Sequence, residues 1–144
     1  MTTPPKPDIT QSSRFAKTRD AHRDETAEDY VEAIAQLIEH QGTARVGALA
    51  QCMGVSHVTV TRIIDRLSRE GLVTKDARKP IHLTDSGKAM AQQSQARHEI
   101  ILAFLLALGV DESQAQIDAE GIEHHTSEQT LIALQQLTKT LNTQ

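Results

Sequence analysis

Apolar side chains recur at helical spacing along most of this chain. Between Thr18 and His40, Tyr30, Val31, Ile34, Leu37 and Ile38 return every three or four positions and predict a long helix that Gly42 ends. A short helix over Val46 to Met53 is expected next, with Leu49 and Cys52 facing inward. Gly54 breaks the chain, and Ser56 is placed to cap a third helix reaching Glu70, whose inner face is Val60, Ile63, Ile64 and Leu67. Gly71 stops it. Two extended runs, Leu72 to Lys75 and Ile81 to Thr84, flank the basic turn Asp76-Ala77-Arg78-Lys79-Pro80 and predict a hairpin. Thr84-Asp85 caps a long helix through Leu108. Two more helices are expected, from Ser113 to His125 and from Ser127 to Leu141, the last with Leu131, Leu134 and Leu137 as its apolar stripe.

Residues 1 to 17 carry three prolines and few apolar groups, too little to bury, and read as a flexible tail. Arg14, Lys17, Arg19 and Arg23 make its end basic, either a solvated arm or one that touches phosphates.

Composition narrows the class. Aromatic residues make up only 2% of the 144, so a small chain with this core is expected to complete it by oligomerising. The lone Cys52 excludes an internal disulfide and suits a reducing cytoplasm, where it is expected to be a buried apolar residue. No apolar run is long enough to span a bilayer. The net charge of −4 hides an asymmetry: Gly42 to Pro80 holds seven Lys/Arg against three Asp/Glu, and the rest holds eight against sixteen. A basic segment on an acidic body is the footprint of a small DNA-binding module.

That segment is also the one with helix, glycine turn, helix and hairpin, the order of a winged helix-turn-helix. Ser56, His57, Thr59, Arg62 and Arg66 stand on the polar side of its second helix, where short polar groups and Arg suit base edges and phosphates. Arg78 and Lys79 in the wing suit the DNA backbone.

A second chemistry lies outside it. Asp29 and Glu32 share one face of the first helix. Glu120, Glu123 and His124 fall at i, i+3 and i+4 near the other end, and His98 lies in the middle helix. Acids and imidazoles projecting from helix faces are a recurrent way to build a carboxylate-rich metal site. Spacing alone does not bring these faces together.

The segments Ala27-Glu28-Asp29-Tyr30-Val31-Glu32, Arg97-His98-Glu99 and Asp118-Ala119-Glu120-Gly121-Ile122-Glu123-His124-His125 resemble the manganese transport regulator branch of the diphtheria toxin repressor family. The resemblance covers the chain from about Arg19 onward. It implies a mainly α fold: a flexible tail (1–17), an N-terminal winged helix-turn-helix DNA-binding domain with a two-stranded wing (18–84), and a helical metal-binding and dimerisation domain (85–144). It implies one binuclear site on Asp29, Glu32, His98, Glu120, Glu123 and His124, holding two Mn²⁺ per chain, with other divalent metals able to bind. His125 points about 100° away from His124 by helical geometry and reads as a supporting or structural residue rather than a ligand. The family's iron-responsive branch has Met and Cys where this sequence has Asp29 and Glu120, and carboxylates suit the harder Mn²⁺.

The function implied is not enzymatic: a cytoplasmic homodimer that binds operator DNA when Mn²⁺ is plentiful and represses manganese uptake genes. A winged-helix regulator sensing an organic ligand is the competing reading, though the chain is poor in the aromatics such a pocket favours. A dimetal hydrolase would leave the basic segment idle.

Overall fold

The computed structural model describes residues 11–144 and is mainly helical. Residues 1 to 10 of the expected tail lie outside the described residues. Helix α1 runs Gln11–Gln41, so it starts seven positions before the expected Thr18 and takes in part of the sequence expected to be tail. Helices α2 (Val46–Met53) and α3 (His57–Arg69) follow the expected bounds closely. Gly54 makes the turn between them in the left-handed region, φ 68°, where a side chain would be strained. Ser56 caps α3, its hydroxyl accepting from the Thr59 N–H at 3.2 Å.

The wing is smaller than its sequence suggests. Strands β1 (Val73–Thr74) and β2 (His82–Leu83) pair antiparallel, Val73 opposite Leu83 and Thr74 opposite His82. Ile81 N–H donates to Ala44 O at 2.7 Å, which ties the hairpin to the segment between α1 and α2. At the hairpin's base Thr84 Oγ1 donates to Gly71 O at 2.6 Å and accepts from Gly87 N–H at 3.1 Å. Gly87 passes so close that a Cβ there would collide with the Leu72 carbonyl oxygen.

Two apolar clusters divide the chain. The first gathers Val31 and Ile34 of α1, Leu49 of α2, Val60, Ile64 and Leu67 of α3, and Val73 and Ile81 of the wing. The second gathers Ile101 and Leu105 of α4 (Asp85–Ala107), Ala115 and Ala119 of α5 (Glu112–Ile122), and Leu131 of α6 (Glu128–Asn142). Ser127 caps α6 as expected, but of its apolar stripe only Leu131 is buried, and Leu137 is exposed. Cys52 is exposed rather than inward: α2 turns Leu49 and Ala50 to the core and leaves Cys52 on its outer flank.

Helix α1 belongs to both halves. At 100° per residue, Ala27, Tyr30, Val31, Ile34 and Leu37 face the first core, and Glu25, Glu28, Asp29 and Glu32 fall on the opposite side. α1 packs there against α4 and a 3₁₀ turn, Glu123–His125, that follows α5. The helix expected to continue through His125 therefore ends at Ile122 and tightens for its last three residues. No helix among the described residues is long and apolar enough to cross a membrane.

Candidate functional site

The acid face of α1 meets His124 directly. The His124 ring is wedged between two consecutive carboxylates: Nδ1–H donates to Glu28 Oε2 at 2.6 Å, and Nε2 lies 2.9 Å from Asp29 Oδ1. These bonds, Asp29 first and Glu28 second, outweigh burial and push the His124 pKa up to about 10. Glu25 completes a group with Asp29 and His124 whose donor atoms all lie within 4.8 Å of one another. Its carboxylate also reaches His125 Nε2 at 3.3 Å, and His125 itself is exposed.

A second group forms around His98 on α4. Its Nδ1 is 2.7 Å from Glu123 Oε2 and 3.6 Å from Glu120 Oε1. Its Nε2–H donates to Gln116 Oε1 at 2.9 Å. An amide oxygen only accepts, so Gln116 holds the proton on Nε2 and turns Nδ1 toward the acids. Burial disfavours the charged ring, yet the bonds to Gln116 and Glu123 and the nearby acids raise the His98 pKa overall.

Glu123 stands between the two groups. It is wholly buried, one oxygen against His98 and the other, Oε1, 3.5 Å from His124 Nε2 with no hydrogen-bond partner. Burial, reinforced by Glu120 and Glu32, pushes its pKa up to about 7 despite the His98 bond. Glu32 accepts from the buried Ser94 hydroxyl at 3.0 Å, and its pKa too is raised by burial. Asp29, Glu32 and Glu120 border one cleft of about 270 Å³, which Cys52 and Met53 of α2 also line.

All six residues singled out as ligands thus converge at the junction of α1, α4, α5 and the 3₁₀ turn. A buried carboxylate oxygen with no partner, set among carboxylates and imidazoles, fits a divalent cation: such a group is costly unless something positive compensates it. Glu25, Glu28, Ser94 and Gln116 were not singled out from the sequence. The first two had a signal: Glu25, Glu28, Asp29 and Glu32 fall at i, i+3, i+4 and i+7, one continuous acid face.

The second helix of the helix-turn-helix, α3, presents His57, Val58, Thr61, Arg62, Asp65 and Arg69 around a shallow outer surface. His57 and Arg62 are on this exposed side. Ser56 and Thr59 lie at its edge, their hydroxyls 3.0 Å apart and engaged in the cap. Arg66 points elsewhere: its Nη2–H donates to Arg23 O of α1 at 3.1 Å, and its Nε is 3.5 Å from Glu70. In the wing, Arg78 takes the left-handed conformation, φ 64°, and Lys79 pairs loosely with Asp76 at 3.7 Å. Both side chains are exposed.

Two family descriptions match this chain. "Iron dependent repressor, N-terminal DNA binding domain" matches residues 24–80. "Iron dependent repressor, metal binding and dimerisation domain" matches residues 84–144. The Transcriptional regulator MntR of Escherichia coli O157:H7 is 44% identical over 125 residues, covering 87% of this chain and 81% of that protein. The chain belongs to the manganese transport regulator branch of the diphtheria toxin repressor family. The HTH-type transcriptional regulator MntR of Bacillus subtilis (strain 168) is 38% identical over 100 residues, covering 69% of this chain and 70% of that protein. Among solved structures, a manganese-dependent transcriptional repressor in complex with manganese matches with TM-score 0.70 and 30% identity over 78% of this chain. This chain spans about half (52%) of that one's length. The family assignment fits the winged helix-turn-helix and the helical second lobe, as expected from the sequence.

Proposed function

We propose that the protein is a manganese-responsive transcriptional repressor that binds operator DNA as a homodimer in the cytoplasm. The observation that carries this reading is Glu123, a buried carboxylate with an unpartnered oxygen between His98 and His124. Asp29, Glu32, His98, Glu120, Glu123 and His124 would hold the metal, two ions per chain. A divalent cation supplies there the positive charge that four converging carboxylates lack. Asp29 and Glu120 favour Mn²⁺ over softer ions, because both are hard oxygen donors. The names of the relatives, and the manganese-bound repressor among the structural matches, support the same metal.

The chain's own residues make the response mechanical. Asp29 and Glu32 ride on the helix that forms one wall of the DNA-binding core, and the other four stand on the second lobe. His124 ties Glu28 and Asp29 to the second lobe, while Glu32, Glu120 and Glu123 repel one another across the junction. Drawing them together favours one orientation of α1, and with it of α3, relative to the lobe assigned to dimerisation. In a two-fold dimer that sets the spacing of the two α3 helices, which must match two operator half-sites. His57, Arg62 and the neighbouring Val58, Thr61 and Arg69 are the proposed reading surface. Ser56 and Thr59 flank it, and Arg78 and Lys79 approach phosphates from the wing.

The test is operator binding by chelator-treated protein titrated with Mn²⁺, Fe²⁺, Zn²⁺ and Co²⁺, with metal stoichiometry per chain. Affinity for operator that ignores Mn²⁺ would refute the reading.

A further inference from the structure

Among the acids of α1, Glu28 differs from its neighbours in having both oxygens engaged. Oε2 accepts from His124 Nδ1–H at 2.6 Å, and Oε1 lies 3.4 Å from Arg97 Nη1 of α4. The His124 side chain is 2% exposed, so no water competes for its Nδ1. The other ring nitrogen, Nε2, faces Asp29 Oδ1 at 2.9 Å and Glu123 Oε1 at 3.5 Å. A histidine whose Nδ1 is committed as a donor has only Nε2 to offer a cation, and a carboxylate partner makes that nitrogen a better ligand.

We propose that Glu28, anchored by Arg97, is a positioning residue that fixes the His124 ring with Nε2 toward the metal centre, and is not itself a ligand. The inference rests on the metal-binding reading above. It also adds a link between the lobes. Glu28 sits on the helix of the DNA-binding half, Arg97 and His124 on the other, so the arrangement that aims the imidazole also holds α1 against α4 and the 3₁₀ turn. Asp29, one residue further along α1, keeps its oxygens turned to the other side of the same ring.

A double-mutant cycle separates aiming from binding. Metal-free full-length protein is titrated with Mn²⁺, free ion being counted by electron paramagnetic resonance, for the parent, Glu28→Ala, Glu28→Gln, His124→Ala and Glu28→Ala/His124→Ala. Glu28→Ala is expected to weaken Mn²⁺ binding by about 10- to 100-fold. In the His124→Ala background the same change should cost less than about twofold, since a residue acting only through His124 has nothing left to aim. Glu28→Gln keeps an acceptor for Nδ1–H and should recover most of the affinity. Metal-free Glu28→Ala should melt below the parent, because the link between α1 and α4 is lost, yet remain folded at the temperature of the titration. Parent-like binding by Glu28→Ala overturns the proposal, as does an equal loss from Glu28→Ala with and without His124. A parent that takes up no Mn²⁺ sinks the metal reading and this inference together, whereas a binding parent with an indifferent Glu28→Ala sinks this inference alone.

Discussion

Glu123 Oε1 lies 3.5 Å from His124 Nε2 and, although buried, accepts no hydrogen bond. Burial there disfavours the ionised carboxylate, and Glu120 and Glu32 add to the effect despite the His98 bond. Its pKa is raised from 4.5 to about 7, so the stability its protonated form contributes is complete below 4.5 and lost as pH rises through about 7. Glu123→Gln stays neutral throughout. At pH 8 with chelator it should melt about 2–6 °C above the parent, and in a separate titration without chelator it should bind Mn²⁺ more weakly. A lower melting temperature would mean that His98 fully compensates the charge.

Acid should oppose the metal. With His124 raised to about 10, its ring is protonated in the metal-free protein at neutral pH, and a ligand must be deprotonated. Mn²⁺ added to weakly buffered protein at pH 7.5 should release protons, and apparent affinity should climb by up to ~10-fold per pH unit for each proton displaced. Isothermal titration in buffers of different ionisation enthalpy counts them. Pure heat of binding with no buffer dependence would contradict the prediction.

Two arginines one helical turn apart should behave differently. Arg62→Ala removes an exposed cation from the proposed reading surface and should weaken operator binding by about 1–3 kcal/mol with an unchanged melting temperature. Arg66→Ala breaks contacts to Arg23 O and Glu70 and should cost about 0.5–1.5 kcal/mol of stability. Its effect on operator choice should be small. Gel shift against parent and scrambled operators, beside thermal melts, distinguishes the two.

Gly87→Ala places a methyl against the Leu72 carbonyl, a backbone atom that cannot swing aside. Overpacking of this kind costs about 1–3 kcal/mol. The wing and the start of α4 must separate to accept it, so melting temperature and operator affinity should fall together. An Ala variant with parent-like melting would show that the junction is looser than its packing suggests.

The helices and their caps were legible because their signals are local. Ser56, Thr84 and Ser127 each accept the N–H three residues on, as their positions announce. The wing's place was legible from Gly71 and the basic turn, its shortness was not, because strand length is settled by pairing. Cys52 misled because apolar residues lie all round this eight-residue helix, so the pattern says little about which side turns inward. At the proposed metal site the residue types and two faces could be read, but their meeting came from resemblance to a family. Glu28 lies beside Asp29 among other acids of α1, and its sequence neighbourhood gives it no distinct role. Only the fold of residues 96 positions away, bringing His124 to it, gives that carboxylate a task. Ser94 and Gln116 have no sequence signal at all, since a serine or glutamine in a helix is ordinary.

The two-sided character of α1 constrains how the gene can vary. Core residues and the acids that face the second lobe are interleaved between positions 25 and 37 on one continuous helix, half a turn out of phase. Point substitutions can alter one side and spare the other. Insertion or deletion of a single codon cannot: it rotates everything beyond it by about 100° and throws the acids out of register with the apolar stripe. Sensor and reader are thus bound by reading-frame geometry within a dozen residues, a stretch that should tolerate replacement yet refuse any change in length.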